Sequence, residues 1–79
     1  MHSFKAGDQV HVINSTMSGT YFVEGLAVVH RPVDGQEDRY IVAFANDLSA
    51  PVERFVDPAA QANPAAYVAG LNDSPQEPA

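Results

Sequence analysis

Three histidines, ten carboxylates and no cysteine make up the chemical equipment of this 79-residue chain. Imidazoles and carboxylates together suit a zinc or general-base site, provided their spacing lets them converge. His2, His11 and His30 lack that spacing, since no His-x-x-x-His pair occurs. The missing cysteines remove thiolate ligands, thiolate nucleophiles and disulfides. His11 and His30 fall on different expected strands that could lie side by side, and they read as isolated histidines at a surface or rim. Ser15, Thr16 and Ser18 supply hydroxyls near His11, but no glycine-bearing nucleophile elbow or phosphate loop frames them. Asp34, Glu37 and Asp38 crowd one turn without the alternation of a calcium loop, and read as solvated acids. The expectation is a protein that is not an enzyme and holds no metal or cofactor.

The aromatic residues are the other candidates. Phe4, Tyr21, Phe22, Tyr40, Phe44, Phe55 and Tyr67 supply most of the bulk in a chain with no Trp and only three Leu. Exposed rings can cage methylated cations or stack on bases. A small core, however, needs at least Tyr40 and Phe44 inside. In a strand, Tyr21 and Phe22 point to opposite faces, so one of them is expected outside the core. That ring, with Met17 in the preceding polar loop and the turn acids Asp34, Glu37 and Asp38, forms the expected partner-contact set.

The formal net charge of −6 sets four cations (Lys5, Arg31, Arg39 and Arg54) against ten carboxylates. Neutralising phosphates takes clustered Lys and Arg, so the balance opposes nucleic-acid binding and favours a basic protein partner. Arg39 and Arg54 are expected to pair with Asp38, Glu53 or Glu24. No apolar run approaches membrane-spanning length, and the polar start "MHSFKAGDQ" lacks a signal core. The expectation is a cytoplasmic protein without membrane contact.

The elements that must position these residues follow from periodicity. "DQVHVIN" puts Val10 and Val12 on one face and His11 and Ile13 on the other, a half-buried strand. Residues 20–31 read as a long strand with a bulge or bend at Gly25. Asp34-Gly35 marks a turn. "RYIVAFA" alternates again, with Tyr40, Val42 and Phe44 on one side, and "VERFV" is a last short strand. Beyond Asp57, Asp57-Pro58 and Asn63-Pro64 are each a capping residue followed by proline. The second predicts a helix over 64–71 that packs through Tyr67, Val68 and Leu71 and stops near Asn72. The domain reading is a barrel over 1–57, a helical appendage over 58–72 and a disordered tail over 73–79.

The order "FKAGDQVHV", loop, "GLAVV", turn, "YIVAF", turn, "VERFV" resembles SH3-like barrels of the KOW, Tudor and plasmid-reductase kind. Phe4, Gly7, Asp8 and Val10 match the opening of their first strand, and Tyr40, Val42 and Phe44 their aromatic-x-Val-x-Phe strand. The resemblance covers residues 4 to 57 and implies a mainly β fold: a small antiparallel barrel of four or five strands with a short C-terminal helix. Type II dihydrofolate reductases in this group build a tetrameric pore with a Val-Gln-Ile-Tyr tetrapeptide. Val52-Glu53-Arg54-Phe55 keeps the Val and an aromatic ring but replaces the ligand-contacting Gln and Ile with charged residues. Shared fold alone carries no function.

Thirty-six residues are apolar, yet twelve of these are Ala, so a chain this short has a thin core. Self-association or a partner is expected to cover the remaining apolar surface. The functional expectation is a small acidic interaction module, an accessory or inhibitor protein of a bacterium, plasmid or phage. The alternatives are a KOW-like nucleic-acid binder and a reductase-like pore.

Overall fold

The computed structural model describes residues 2–73. Four antiparallel strands follow one another as a meander: β1 (Gln9–Ser15), β2 (Tyr21–Pro32), β3 (Arg39–Phe44) and β4 (Val52–Phe55). The fold is mainly β, a curled half-barrel with one short C-terminal helix.

Alternation puts Val10, Val12, Ala27, Val29, Tyr40 and Val42 on the concave face, where with Val56 they are sealed from solvent. Phe4, Phe44 and Val52 pack around this cluster as half-buried neighbours. Tyr40 therefore fills the core as expected, while Phe44 lines its margin. The Tyr40 hydroxyl accepts the backbone N–H groups of Ser3 (2.9 Å) and Phe4 (3.3 Å). A buried phenol needs such partners, and here they fasten the N-terminal segment over the core.

A flat twelve-residue strand would not curl, and β2 bends at two bulges. Val12 faces Gly25 but Ile13 faces Val23, so Glu24 is the extra residue of the first. Val29 faces Val42 but Arg31 faces Ile41, which makes His30 the extra residue of the second. Each insertion bends the strand and deepens its twist. Gly25 takes φ +155°, and a Cβ there would stand 3.3 Å from Cδ1 of Phe44. The backbone angle favours glycine, and a side chain there would also press on the Phe44 ring.

Past β4, the Asp57 carboxylate caps a single 3-10 turn (Pro58–Ala60) by accepting the N–H of Ala59 at 2.9 Å. Asn63 caps helix α1 (Pro64–Asp73) by accepting the N–H of Ala66 at 3.1 Å. Proline occupies the first position of both, where no N–H is needed. Tyr67, Val68 and Leu71 are half-buried, and α1 has no fully buried residue. The helix extends to Asp73, one residue beyond Asn72, whose side chain is engaged by β2. Asp73, expected in the tail, is thus helical, and residues 74–79 lie outside the described ones.

The outer edge of β1 has a side chain where another strand would lie. The His11 N–H donates to Oε1 of Gln61 (2.6 Å), and Nε2 of Gln61 donates to the His11 carbonyl (3.1 Å). A primary amide carries one acceptor and donors in one plane, as a peptide group does. Gln61 thereby blunts the centre of an otherwise templating edge. No fifth strand forms among the described residues.

Candidate functional site: the free arm of β2

The first half of β2 reaches beyond β3, whose pairing with β2 covers Ala27 to Pro32 only. Tyr21, Phe22, Val23 and Leu26 are consequently all 39–40% exposed. Alternation places at least one of Tyr21 and Phe22 outside the core, and both stand outside it. Both lie beyond the Glu24 bulge, where β1 is the only described strand alongside and helix α1 flanks the Tyr21 face without enclosing it. Register places Tyr21 and Val23 on the face of Ile13, and Phe22 on the face of Asn14.

Met17, at the tip of the β1–β2 hairpin, is fully exposed. The tip is closed by Thr16 N–H on the Thr20 carbonyl (2.8 Å) and Gly19 N–H on the Thr16 carbonyl (2.9 Å). Met17, Tyr21 and Phe22 therefore belong to one hairpin end. Asp34, Glu37 and Asp38 lie in the β2–β3 turn, at the opposite end of the twelve-residue β2. At about 3.3 Å per residue the two groups stand at far ends of one strand, and the fold does not bring them together. The turn acids are exposed, and the carbonyls of Glu37 and Asp38 accept from the Tyr40 hydroxyl (3.4 Å) and the Val56 N–H (2.9 Å).

Beside the arm, Ile13, Tyr21, Phe55, Tyr67 and Leu71 wall a cleft of about 320 Å³ that Asp57 also lines. The Tyr67 hydroxyl donates to the Asp57 carboxylate. That bond holds the phenol above its ordinary range, helped by partial burial and by the charge of Asp57. Over Phe55, the Arg39 guanidinium sits 5.8 Å from the ring centroid and pairs with Glu53 at 3.5 Å.

The bulge residue Glu24 anchors the root of the arm. Its carboxylate accepts from Nε and Nη2 of Arg54, both at 2.9 Å, and from Nδ2 of Asn14 at 3.1 Å. The two-pronged contact depresses the Glu24 pKa and raises that of Arg54. Arg54 also lies over the Phe44 ring, 5.8 Å from its centroid. Among the four cations, Lys5, Arg39 and Arg54 are each paired internally, with Asp8, Glu53 and Glu24.

The histidines are dispersed. His2 contacts the Val33 and Gln36 carbonyls and packs edge-on to Tyr40. His11 faces Leu26 across the ladder, four positions from His30, so the two are not neighbours. No three His, Asp or Glu side chains converge among the described residues. Nor is any described helix long and apolar enough to cross a membrane.

In the sequence Gln61 carries no signal, and Asn72 reads only as a helix stop. Both are amides that reach across the fold to backbone groups, and neither sits in a periodic pattern that would mark it. Comparison with protein-family models, curated proteins and solved structures found no match for this chain.

Proposed function

We propose that this chain is a non-enzymatic, acidic protein-interaction module that engages a basic partner through the free arm of β2. The observation that carries this is the set Tyr21, Val23 and Leu26, which register places on one face of the arm, each more than a third exposed, with Phe22 equally exposed on the other face. Contiguous exposed apolar surface on a small protein marks a contact site. The charge balance supports the sign of the partner: ten carboxylates face four Lys and Arg, three of them already paired. That pairing also disfavours the KOW-like reading, which needs cations released to phosphate. A four-stranded meander followed by a 3-10 turn supports the SH3-like kinship at the level of fold.

The test is capture from the source cell by the wild-type chain and by a Val23→Asp/Leu26→Asp double variant, with mass spectrometry of what is retained. A basic protein held by the wild type and lost by the variant is expected. Equal retention by both, or none by either, overturns the reading. Self-association through the same arm is the second reading, favoured by the same exposed residues. A monomer of 8.5 kDa in sedimentation equilibrium at high micromolar concentration removes it.

A further inference from the structure

The ladder on the β3 side of β2 has a gap. At one end, the Ala45 N–H donates to the Leu26 carbonyl (2.9 Å) as β3 veers away. At the other, the Asn72 side chain of α1 serves both backbone groups of Tyr21. The Tyr21 N–H donates to Oδ1 (2.8 Å), and Nδ2 donates to the Tyr21 carbonyl (3.0 Å). An antiparallel strand makes this same reciprocal pair of bonds with a residue opposite it. Asn72 thus holds the place of a peptide group.

Between these ends, residues 22–25 span about 13 Å of strand with β1 on one side only. Glu24, Gly25, Leu26, Phe44, Ala45 and Asn46 line a groove of about 240 Å³ where β3 departs. Phe22 and Val23 offer side chains to the two faces.

Charge selects the occupant. The carbonyl end of α1 carries a partial negative charge with no basic residue in its last turn, and exposed Asp73 adds a full one. A second copy, with net charge −6 and its own Asp73, is repelled there. Lys or Arg flanking an incoming strand is attracted.

We propose that residues 21–25 of β2 are a docking edge for an extended, Lys- or Arg-bearing peptide segment. It pairs with β2 in line with β3 and takes over the backbone bonds now held by Asn72. This rests on the reading of the chain as a module for a basic partner and specifies how that partner is held. Main-chain bonds give affinity in such strand addition, and alternate side chains give selectivity.

The probe is the peptide acetyl-Lys-Val-Thr-Val-Thr-Val-Lys-amide, added to the ¹⁵N-labelled full chain and followed by NMR. Expected are shifts centred on the amides of residues 21–25 and on the Asn72 side-chain amide. N-methylation of alternate peptide nitrogens, in the register that faces β2, is expected to weaken binding at least tenfold. Replacing both Lys by Glu should weaken it at least fivefold, and Asn72→Ala should tighten it severalfold by removing the competitor. Absence of binding to the wild-type chain at millimolar peptide overturns the proposal. So does binding indifferent to N-methylation in either register, or to N72A. If the Val23→Asp/Leu26→Asp variant still loses a cellular partner in those cases, the module reading stands and only strand addition fails.

Discussion

The two halves of β2 share one strand and one kind of composition, yet they behave as different materials. From Ala27 to Val29 the strand has backbone neighbours on both sides, β3 on one and β1 or the Gly7–Asp8 segment on the other, and Ala27 and Val29 are 0% and 1% exposed. From Tyr21 to Leu26 the only described strand beside it is β1, with Asn72 of α1 at one end and the Ala45 bond at the other, and its large side chains stand more than a third exposed. Burial here follows backbone neighbours and the face of the sheet a residue occupies rather than side-chain type. The hydrophobic contribution scales with area removed from water, so the same residue is worth much in one half and little in the other.

The sharpest test is one substitution made twice. Val29→Ala empties space in the sealed core, losing two methyl groups and leaving a cavity, at about 2–3 kcal/mol. Val23→Ala, on the free arm, is expected to stay within about 0.5 kcal/mol. Urea midpoints of the two variants measure the contrast, and equal losses would mean the arm is packed as tightly as the core. Gly25→Ala, at the joint between the halves, pits a Cβ against Phe44 in a backbone region unfavourable to side chains. It should cost about 1–3 kcal/mol. A loss near zero would show that the bulge tolerates another backbone angle.

Glu24→Gln probes how the arm is anchored. Removing a two-pronged Arg contact of partly exposed groups should cost about 1 kcal/mol, less in high salt. Because Arg54 depresses the folded pKa of Glu24, the contribution is complete above the ordinary glutamate value of 4.5. It is lost as pH falls through the lower folded value. Wild type and E24Q should therefore differ at pH 7 and converge in acid, and a gap that persists unchanged in acid would assign the loss to packing. The smallest effect belongs to Asn72→Ala, a few tenths of a kcal/mol, since its bonds are exposed and water can replace them. Hydrogen exchange should register it as faster exchange of the Tyr21 amide with the Val29 amide unchanged.

Much of the concave face was legible in the sequence because a period of two writes itself directly into residue order. Val10, Val12, Tyr40 and Val42 alternate, and all are buried. Gly25 announced a bulge, although only the register shows that Glu24 is the inserted residue. The caps at Asp57 and Asn63 were legible because capping is local. Arg54 was assigned three possible carboxylates, and the bend of β2 decides for Glu24. The character of the site was not legible in the same way. Whether Tyr21 and Phe22 are enclosed depends on where β3 ends relative to β2, which alternation within β2 does not encode. Likewise, the distance from Met17 to Asp34 depends on both lying at the ends of a single long strand.

The two amide contacts bear on the order in which the chain acquires its structure. Each hairpin of the meander joins neighbouring segments, whereas Gln61 and Asn72 meet His11 and Tyr21 across sequence separations of 50 and 51 residues. Closing loops of that length is entropically costly and slow relative to hairpin formation. On that count the sheet is expected to assemble with the centre of its β1 edge and the start of β2 bare, to be sealed by these amides afterwards. During that interval the protein is most exposed to pairing with a neighbour. Low temperature, by slowing the last step, would lengthen this sticky phase without altering the finished fold.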